Sequence, residues 1–166
     1  MEEGRQAQFA RLWQEHGPAI GRVIASYARP GADQADLAQD IALALWTAFP
    51  RFRGQSSEKT FLLRVAHNQA VRHALNRRVD PEVDAELADP HPRPDQQASA
   101  RQEVERLFRH VRRMPLLQRE ILGLALENLT QAEIGEALGI TPGNVAVRVN
   151  RARAALRELM KEQGHE

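Results

Sequence analysis

Arg64, Asn68 and Arg72 recur every four residues, which on a helix sets two guanidiniums in line around one amide. A guanidinium is permanently charged and its fork matches a phosphate, while an amide both donates to and accepts from a base edge. The row therefore suits a nucleic-acid backbone with a base beside it. Phe52 and Phe61 lie close by in sequence. Stacking of an unpaired base on such a ring is worth roughly 1 to 3 kcal/mol, comparable to the cost of unstacking it, so capture of an extruded base could drive local melting without ATP. The bland alternative is that both rings are core, as aromatics more often are.

A second cationic set closes the chain, within LTQAEIGEALGITPGNVAVRVNRARAAL. Thr130 with Glu133 reads as a capping box that starts a short helix, with Ile134 and Leu138 on its inner face. Gly139 stops that helix and Ile140 plugs the turn. Thr141 offers a second N-cap, Pro142 suits the first helical position, and Val145, Val149, Ala152 and Leu156 form a buried seam. Two helices joined by a short turn, the second long and arginine-rich, make a helix-turn-helix that sends its second helix into a major groove. An ordinary αα-hairpin is the plainer reading, but both caps, the glycine turn and the basic helix coincide here. Opposite the seam only Asn150 and Arg151 are good base-edge readers, flanked by Arg153 and Arg157, so direct readout must be sparse. Arg148, near the seam's border, either reaches phosphate or covers core with its methylenes.

A third set is acidic. Asp36, Gln39 and Asp40 share one helix face with Leu43 and Thr47, while Leu37, Ile41, Ala44, Leu45 and Ala48 share the face that must pack inward. Carboxylates around an exposed leucine suit a protein partner, although carboxylates near a helix N-terminus also gain from the helix dipole alone.

Catalytic chemistry has little to work with. The six histidines include no pair three or four residues apart, and there is no cysteine, no phosphate-cradling glycine loop and no serine or aspartate in a nucleophile motif. The sequence predicts no metal, no cofactor and no enzyme. The lack of cysteine also excludes a disulfide framework, and fits a reducing cytosol. No apolar run approaches bilayer length, and the first residues have neither a basic nor an apolar leader region, so a soluble, unexported and monomeric protein is expected, without membrane insertion.

The elements that must position these sets are helical. At 166 residues the chain suits one ordinary domain or two small ones, and 42% apolar residues can supply a core. Helices are predicted over 5–28 with Gly17-Pro18 as a candidate break, 33–48, 60–78, 99–113, 116–126, 130–138 and 142–160. Arg29-Pro30-Gly31 and Phe49-Pro50 punctuate the first three. Val104, Leu107, Phe108 and Val111 predict an inward stripe on the helix over 99–113. Between the halves, Pro81, Pro90, Pro92 and Pro94 sit among acids without apolar periodicity, the composition of a linker. The expected organisation is all-α: a helical module over 1–79, a linker over 80–98, and a helix-turn-helix module over 99–166.

The net charge of +1 conceals this layout, because 51–78 carries +6 and 79–100 carries −5. The basic block also holds His67 and His73 and is expected to form a phosphate-binding surface, unless it is simply a solvated helix face.

MPLLQREILGLALENLTQAEIGEALGITPGNVAVRVNRARAALREL resembles region four of bacterial sigma factors, in particular the extracytoplasmic-function (ECF) subfamily, through Pro115, Arg119, Glu120, the helix-turn-helix and the run Arg151 to Leu156. DQADLAQDIALALW resembles region 2.2, and FRGQSSEKTFLLRVAHNQAVRHALNRR resembles region 2.3 to 2.4. The resemblance implies an alternative sigma factor that binds core RNA polymerase and directs it to promoters. Asp36, Gln39, Asp40 and Leu43 would dock on the clamp helices of the β′ subunit, with the β flap as a second polymerase contact. Phe52, Arg53, Phe61, Arg64, Asn68 and Arg72 would meet the minus-ten element. Thr141, Asn144, Arg148, Asn150, Arg151 and Arg153 would meet the minus-thirty-five element. An anti-sigma partner is left open. Two departures stand out: Phe61 replaces the family's usual Trp, and Ala146-Val147 replaces a Lys-Ser pair, so base contacts carry over only to Asn150 and Arg151, with Asn144 as a cap or phosphate ligand. The rival reading is a stand-alone helix-turn-helix regulator whose N-terminal helices only dimerise.

Overall fold

A computed structural model of the chain describes residues 1–77 and 96–162. The described residues form seven α-helices and one short 3-10 turn, with no strand among them. The helices are α1 (Glu2–Tyr27), α2 (Ala32–Ala48), α3 (Glu58–Arg77), α4 (Gln96–Arg113), α5 (Leu116–Leu126), α6 (Gln131–Leu138) and α7 (Pro142–Glu162); Phe49–Arg51 forms the 3-10 turn. Most of the expected linker lies outside the described residues, and α4 starts at Gln96, before the expected 99.

α1 runs unbroken through Gly17-Pro18, which corrects the candidate break. An interior proline costs a helix about 3 kcal/mol, but Leu12, Ile20, Val23 and Ile24 on either side are buried, each worth about 1.5 to 3 kcal/mol if fully removed from water. Packing wins. Gly31 then turns the chain at φ 102, a conformation costly for any side chain, while the Arg29 amide donates to Asp33 and the Gln34 side chain donates to the Ala28 carbonyl. α2 buries Leu37, Ile41 and Leu45, as its spacing predicts. α3 begins where Ser57 Oγ accepts from the Thr60 amide at 3.1 Å, and it buries Leu62, Leu63, Ala66, His67 and Ala70.

α4 departs from expectation. Val104 is 53% exposed and Leu107 is also exposed, with burial beginning only at His110 and Val111. The periodicity is present, but the helix reaches its neighbours through its C-terminal half, where Arg112 donates to the Ala25 carbonyl at 2.8 Å. The Pro115-to-Arg119 pattern has a structural use: Pro115 opens α5, and the buried Arg119 donates to the carbonyls of Arg112 and Met114, tying α4 to α5.

The helix-turn-helix forms as its caps dictate. Thr130 and Glu133 complete both halves of the capping box, Gly139 ends α6 in the left-handed region at φ 70, and Thr141 Oγ1 accepts from the Asn144 amide at 3.3 Å. Ile134, Val145 and Ala152 are buried. The turn itself is tight, because Ile140 donates its amide to the Gly135 carbonyl and a Cβ on Gly135 would lie 2.6 Å from the Ile140 oxygen.

The two halves are not separate in space. One buried cluster runs from Leu12 in α1 to Ala152 in α7, and α1 packs on α4 and α5 while α3 packs on α5 and α6.

Candidate nucleic-acid interface

α2 and α3 present the expected faces to solvent. Asp36, Gln39, Asp40 and Thr47 on α2 are exposed, Leu43 is 66% exposed, and Arg64, Asn68 and Arg72 on α3 are exposed above a buried seam. Sequence reasoning assigned these to two sites; the fold brings most of them together. Asp40, Leu43, Phe61, Arg64, Asn68 and Arg72 line a single groove of about 870 Å³, whose far edge is Glu136 and Ala137 of α6. Asp36 and Gln39 lie outside its lining, on the exposed side of α2.

The loop between α2 and α3 carries the aromatics. Gly54 holds φ 75, which explains the Phe-x-Gly spacing, because a side chain there would be strained. Phe52 and Phe61 lie with ring centroids 4.8 Å apart, and Phe49 stacks on Phe52 at 5.7 Å. Both Phe52 and Phe61 are half-buried, with part of each ring packed and part open to solvent. Arg53 is exposed, and its guanidinium donates to the carbonyls of Pro50 and Phe52, folding over its own loop.

Two histidines of the basic block do not serve a phosphate surface. His67 is 1% exposed, its ring bonded to Tyr27 Oη at 3.0 Å and covered by Gly123 of α5. His73 Nε2 contacts Asp33 at 2.7 Å, and Arg77 pairs with the same carboxylate. The helical wheel sets His67 beside the outward row of Arg64, Asn68 and Arg72; burial under α5, brought over α3 by the tertiary fold, corrects that placement.

Burial pushes the His67 imidazole down to about 4 from its ordinary 6.5, with Glu127 opposing weakly. A depressed histidine pKa means that the unfolded chain takes up the proton first, so this stability is present above pH 6.5 and is lost as pH falls toward 4. The loss should reach about 3 kcal/mol near the lower limit. Urea midpoints at pH 7 and pH 4.5 should therefore differ more in the wild type than in His67→Gln. An equal difference in both would refute the assignment.

In the helix-turn-helix, Asn144, Asn150, Arg151, Arg153 and Arg157 are exposed along α7, whereas Arg148 is half-buried. Thr141 is exposed, with its hydroxyl committed to the α7 cap. Val147 is exposed on α7, so the apolar position seen in the sequence lies on the surface.

The junction between the halves is the feature that sequence reasoning missed. Glu127 is 5% exposed, yet it receives Arg22 through two bonds at 2.5 and 2.9 Å, and Lys59 Nζ lies 3.7 Å from its carboxylate while donating to its carbonyl. Bonding to Arg22 holds the Glu127 carboxyl below its usual range against the opposing effect of burial. Thr60 Oγ1 donates to Glu133 at 2.7 Å, the largest cause of that carboxyl's lowered pKa. Nothing in the local pattern of α1, α3 or α5 marks these partners, which are 105, 68 and 73 residues apart.

Residues 12–79 match the family model Sigma-70 region 2, and residues 105–156 match Sigma-70, region 4. The chain is 33% identical over 168 residues to the RNA polymerase sigma factor NccH of Alcaligenes xylosoxydans xylosoxydans, covering 96% of this chain and 90% of that protein. The chain belongs to the sigma-70 family. Within it, the ECF subfamily is the match, including ECF RNA polymerase sigma factor SigM of Mycobacterium tuberculosis at 26% identity, covering 95% of this chain and 79% of that protein. The sigma factor CnrH of Cupriavidus metallidurans is 30% identical, covering 95% of this chain and 88% of that protein. A solved structure of CnrH in complex with the cytosolic domain of CnrY superposes with a TM-score of 0.69 over 95% of this chain and 90% of that one, at 25% identity. The sigma factor RpoE in complex with the anti-sigma factor NepR, from Bartonella quintana, shares the fold at a TM-score of 0.67 and 21% identity, over 93% of this chain and 97% of that one. The region 2 match covers the half that a stand-alone regulator would use only to dimerise. As a sigma factor, this protein acts with core RNA polymerase at promoter DNA to direct transcription initiation. No described helix is long and apolar enough to cross a membrane.

Proposed function

We propose how the surfaces of this ECF sigma factor divide its work. Asp36, Gln39, Asp40 and Leu43 dock on the β′ clamp helices, and the module over 99–166 meets the β flap. Arg64, Asn68 and Arg72 track the minus-ten element, with Arg53 beside it and Phe52 and Phe61 receiving an extruded base. Asn150 and Arg151 read base edges at the minus-thirty-five element, while Asn144, Arg148 and Arg153 reach phosphate and Thr141 positions the helix that carries them. The observation that supports this division is the groove in which Asp40 and Leu43 on one wall face Arg64, Asn68 and Arg72 on the other. A polymerase helix seated on α2 would lie directly beside melted DNA on α3.

In this reading the chain is the promoter-selecting partner and phosphodiester chemistry belongs to the polymerase, so the protein works in the cytoplasm and is not itself an enzyme. The division into modules over 1–79 and 99–166, with a linker over 80–98, follows from the same roles. An anti-sigma protein is a further partner of this class, by analogy with CnrH and RpoE.

Run-off transcription with purified core polymerase on a panel of promoters tests the assignment. Start sites should move when the protein is added, and unchanged start sites would sink it. In the same assay Asn68→Ala should slow open-complex formation about tenfold, as expected for losing roughly 1 to 3 kcal/mol of base contact, while core binding stays intact. Equal loss of both functions would refute the division.

A further inference from the structure

His16 lies outside the polymerase and promoter surfaces, yet it belongs to a cluster of its own. Its Nε2 contacts Glu58 Oε1 at 3.2 Å, across from α1 to the first residue of α3, and stands 3.9 Å from Glu15 Oε2. Neighbouring residues on a helix point about 100° apart, so Glu15 and His16 converge only because both side chains turn toward α3. The ligand atoms of Glu15, His16 and Glu58 all lie within 4.8 Å of one another, and no other such set occurs among the described residues. The His16 side chain is 18% exposed and Glu58 29%, so the imidazole and one carboxylate are already held in place, while Glu15 at 52% can still adjust.

We infer that Glu15, His16 and Glu58 form a site for a divalent transition ion of the zinc type, in which the Arg11 guanidinium is a displaceable stand-in for the ion. The inference does not depend on the division of surfaces proposed above, because none of these four residues belongs to it.

One imidazole and two carboxylates are a ligand set that zinc accepts, with water in the fourth position. Bonds of about 2.1 Å hold tetrahedral ligand atoms roughly 3.4 Å apart, so the observed 3.2 and 3.9 Å need only side-chain adjustment. Magnesium fits poorly: it favours oxygen ligands and keeps several of its own waters, whereas imidazole suits zinc. The set already attracts a cation. Arg11 donates to Glu15 at 3.0 Å and to both oxygens of Glu58 at 3.2 Å. Bonding to Arg11, and less strongly to His16, holds the Glu58 carboxyl below its usual range against burial, so it is ionised and ready to ligate at neutral pH. The Arg11 side chain is 44% exposed, however, and surface ion pairs of this kind are weak enough to exchange. A divalent ion balances both carboxylates, where the guanidinium balances one.

The sequence predicts no metal because its histidines have no partners at helical spacing; here the third ligand comes from 42 residues beyond His16. An ion in this site would pin the start of α3 to α1, just after the loop that carries Phe52 and Gly54.

Zinc titrated into the untagged full chain should bind at one ion per chain, persist in excess magnesium, and raise the urea midpoint, because the site exists only in the folded protein. His16→Gln and Glu58→Gln should each weaken binding at least about tenfold and erase the midpoint shift at unchanged helicity, since losing a ligand costs no less than losing a group that orients one. Arg11→Gln should tighten binding about threefold, the scale of weak surface pairs. Cobalt, paramagnetic and suited to the same donors, should broaden the imidazole proton signals that His16→Gln lacks. Zinc bound no better than magnesium overturns the inference. So does zinc binding that survives both ligand substitutions, which places the ion on other residues, or binding that fails to tighten when Arg11 is replaced, which makes the guanidinium part of the fold and not a stand-in.

Discussion

Asp40→Lys should abolish co-purification of this protein with core polymerase while leaving its helicity and urea midpoint unchanged. Asp40 is exposed on α2, one turn from the 66% exposed Leu43, and the inward face of the helix is filled separately by Leu37, Ile41 and Leu45. Nothing in the core depends on it, so the fold should shift by less than about 0.5 kcal/mol. At a docked interface the outcome differs. Placing a cation where a desolvated carboxylate met its partner costs about 2 to 5 kcal/mol, a loss of roughly thirtyfold to several thousandfold in affinity. A pull-down with tagged core measures it, with Asp40→Asn expected to lie between the two. Undiminished binding of the lysine variant would remove α2 as the docking face.

Gly135→Ala should disable the helix-turn-helix, although alanine ordinarily favours a helix by about 1 kcal/mol over glycine. Its Cβ would stand 2.6 Å from the Ile140 backbone oxygen, and that oxygen cannot swing aside as a side-chain tip would. The turn must move, taking with it the Ile140 amide bonded to the Gly135 carbonyl and the Thr141 cap of α7. Overpacking of this kind costs about 1 to 3 kcal/mol, and it displaces α7 from the angle at which Asn150 and Arg151 would meet bases. Minus-thirty-five-dependent transcription should fall at least tenfold, while binding to core through α2 persists. A variant with wild-type promoter use would show that the turn tolerates the shift.

Much of the proposed interface was legible because its signals are local. The capping box at Thr130 and Glu133, the stop at Gly139 and the second cap at Thr141 are each set within a few residues, and each forms. The α2 and α3 faces follow from helical periodicity, which does not depend on what packs against the helix. The same rule misled at α4: Val104 and Leu107 keep the spacing of a buried stripe, yet no described neighbour covers them. Pro18 shows the opposite case, a local breaker overruled by burial on both sides.

The sequence by itself determined the helices, their caps, the turn of the helix-turn-helix, and which side chains face away from each seam. These depend on contacts between residues a few positions apart. Only the tertiary structure decided that His67 is sealed under α5, that Asp40 and Asn68 share one groove, and that Glu127 joins Arg22 and Lys59 across the molecule. Those relations link residues separated by tens of positions along the chain, and one helix pattern is compatible with many ways of laying helices together. The choice falls to packing and charge pairing, which exist only once the helices have met.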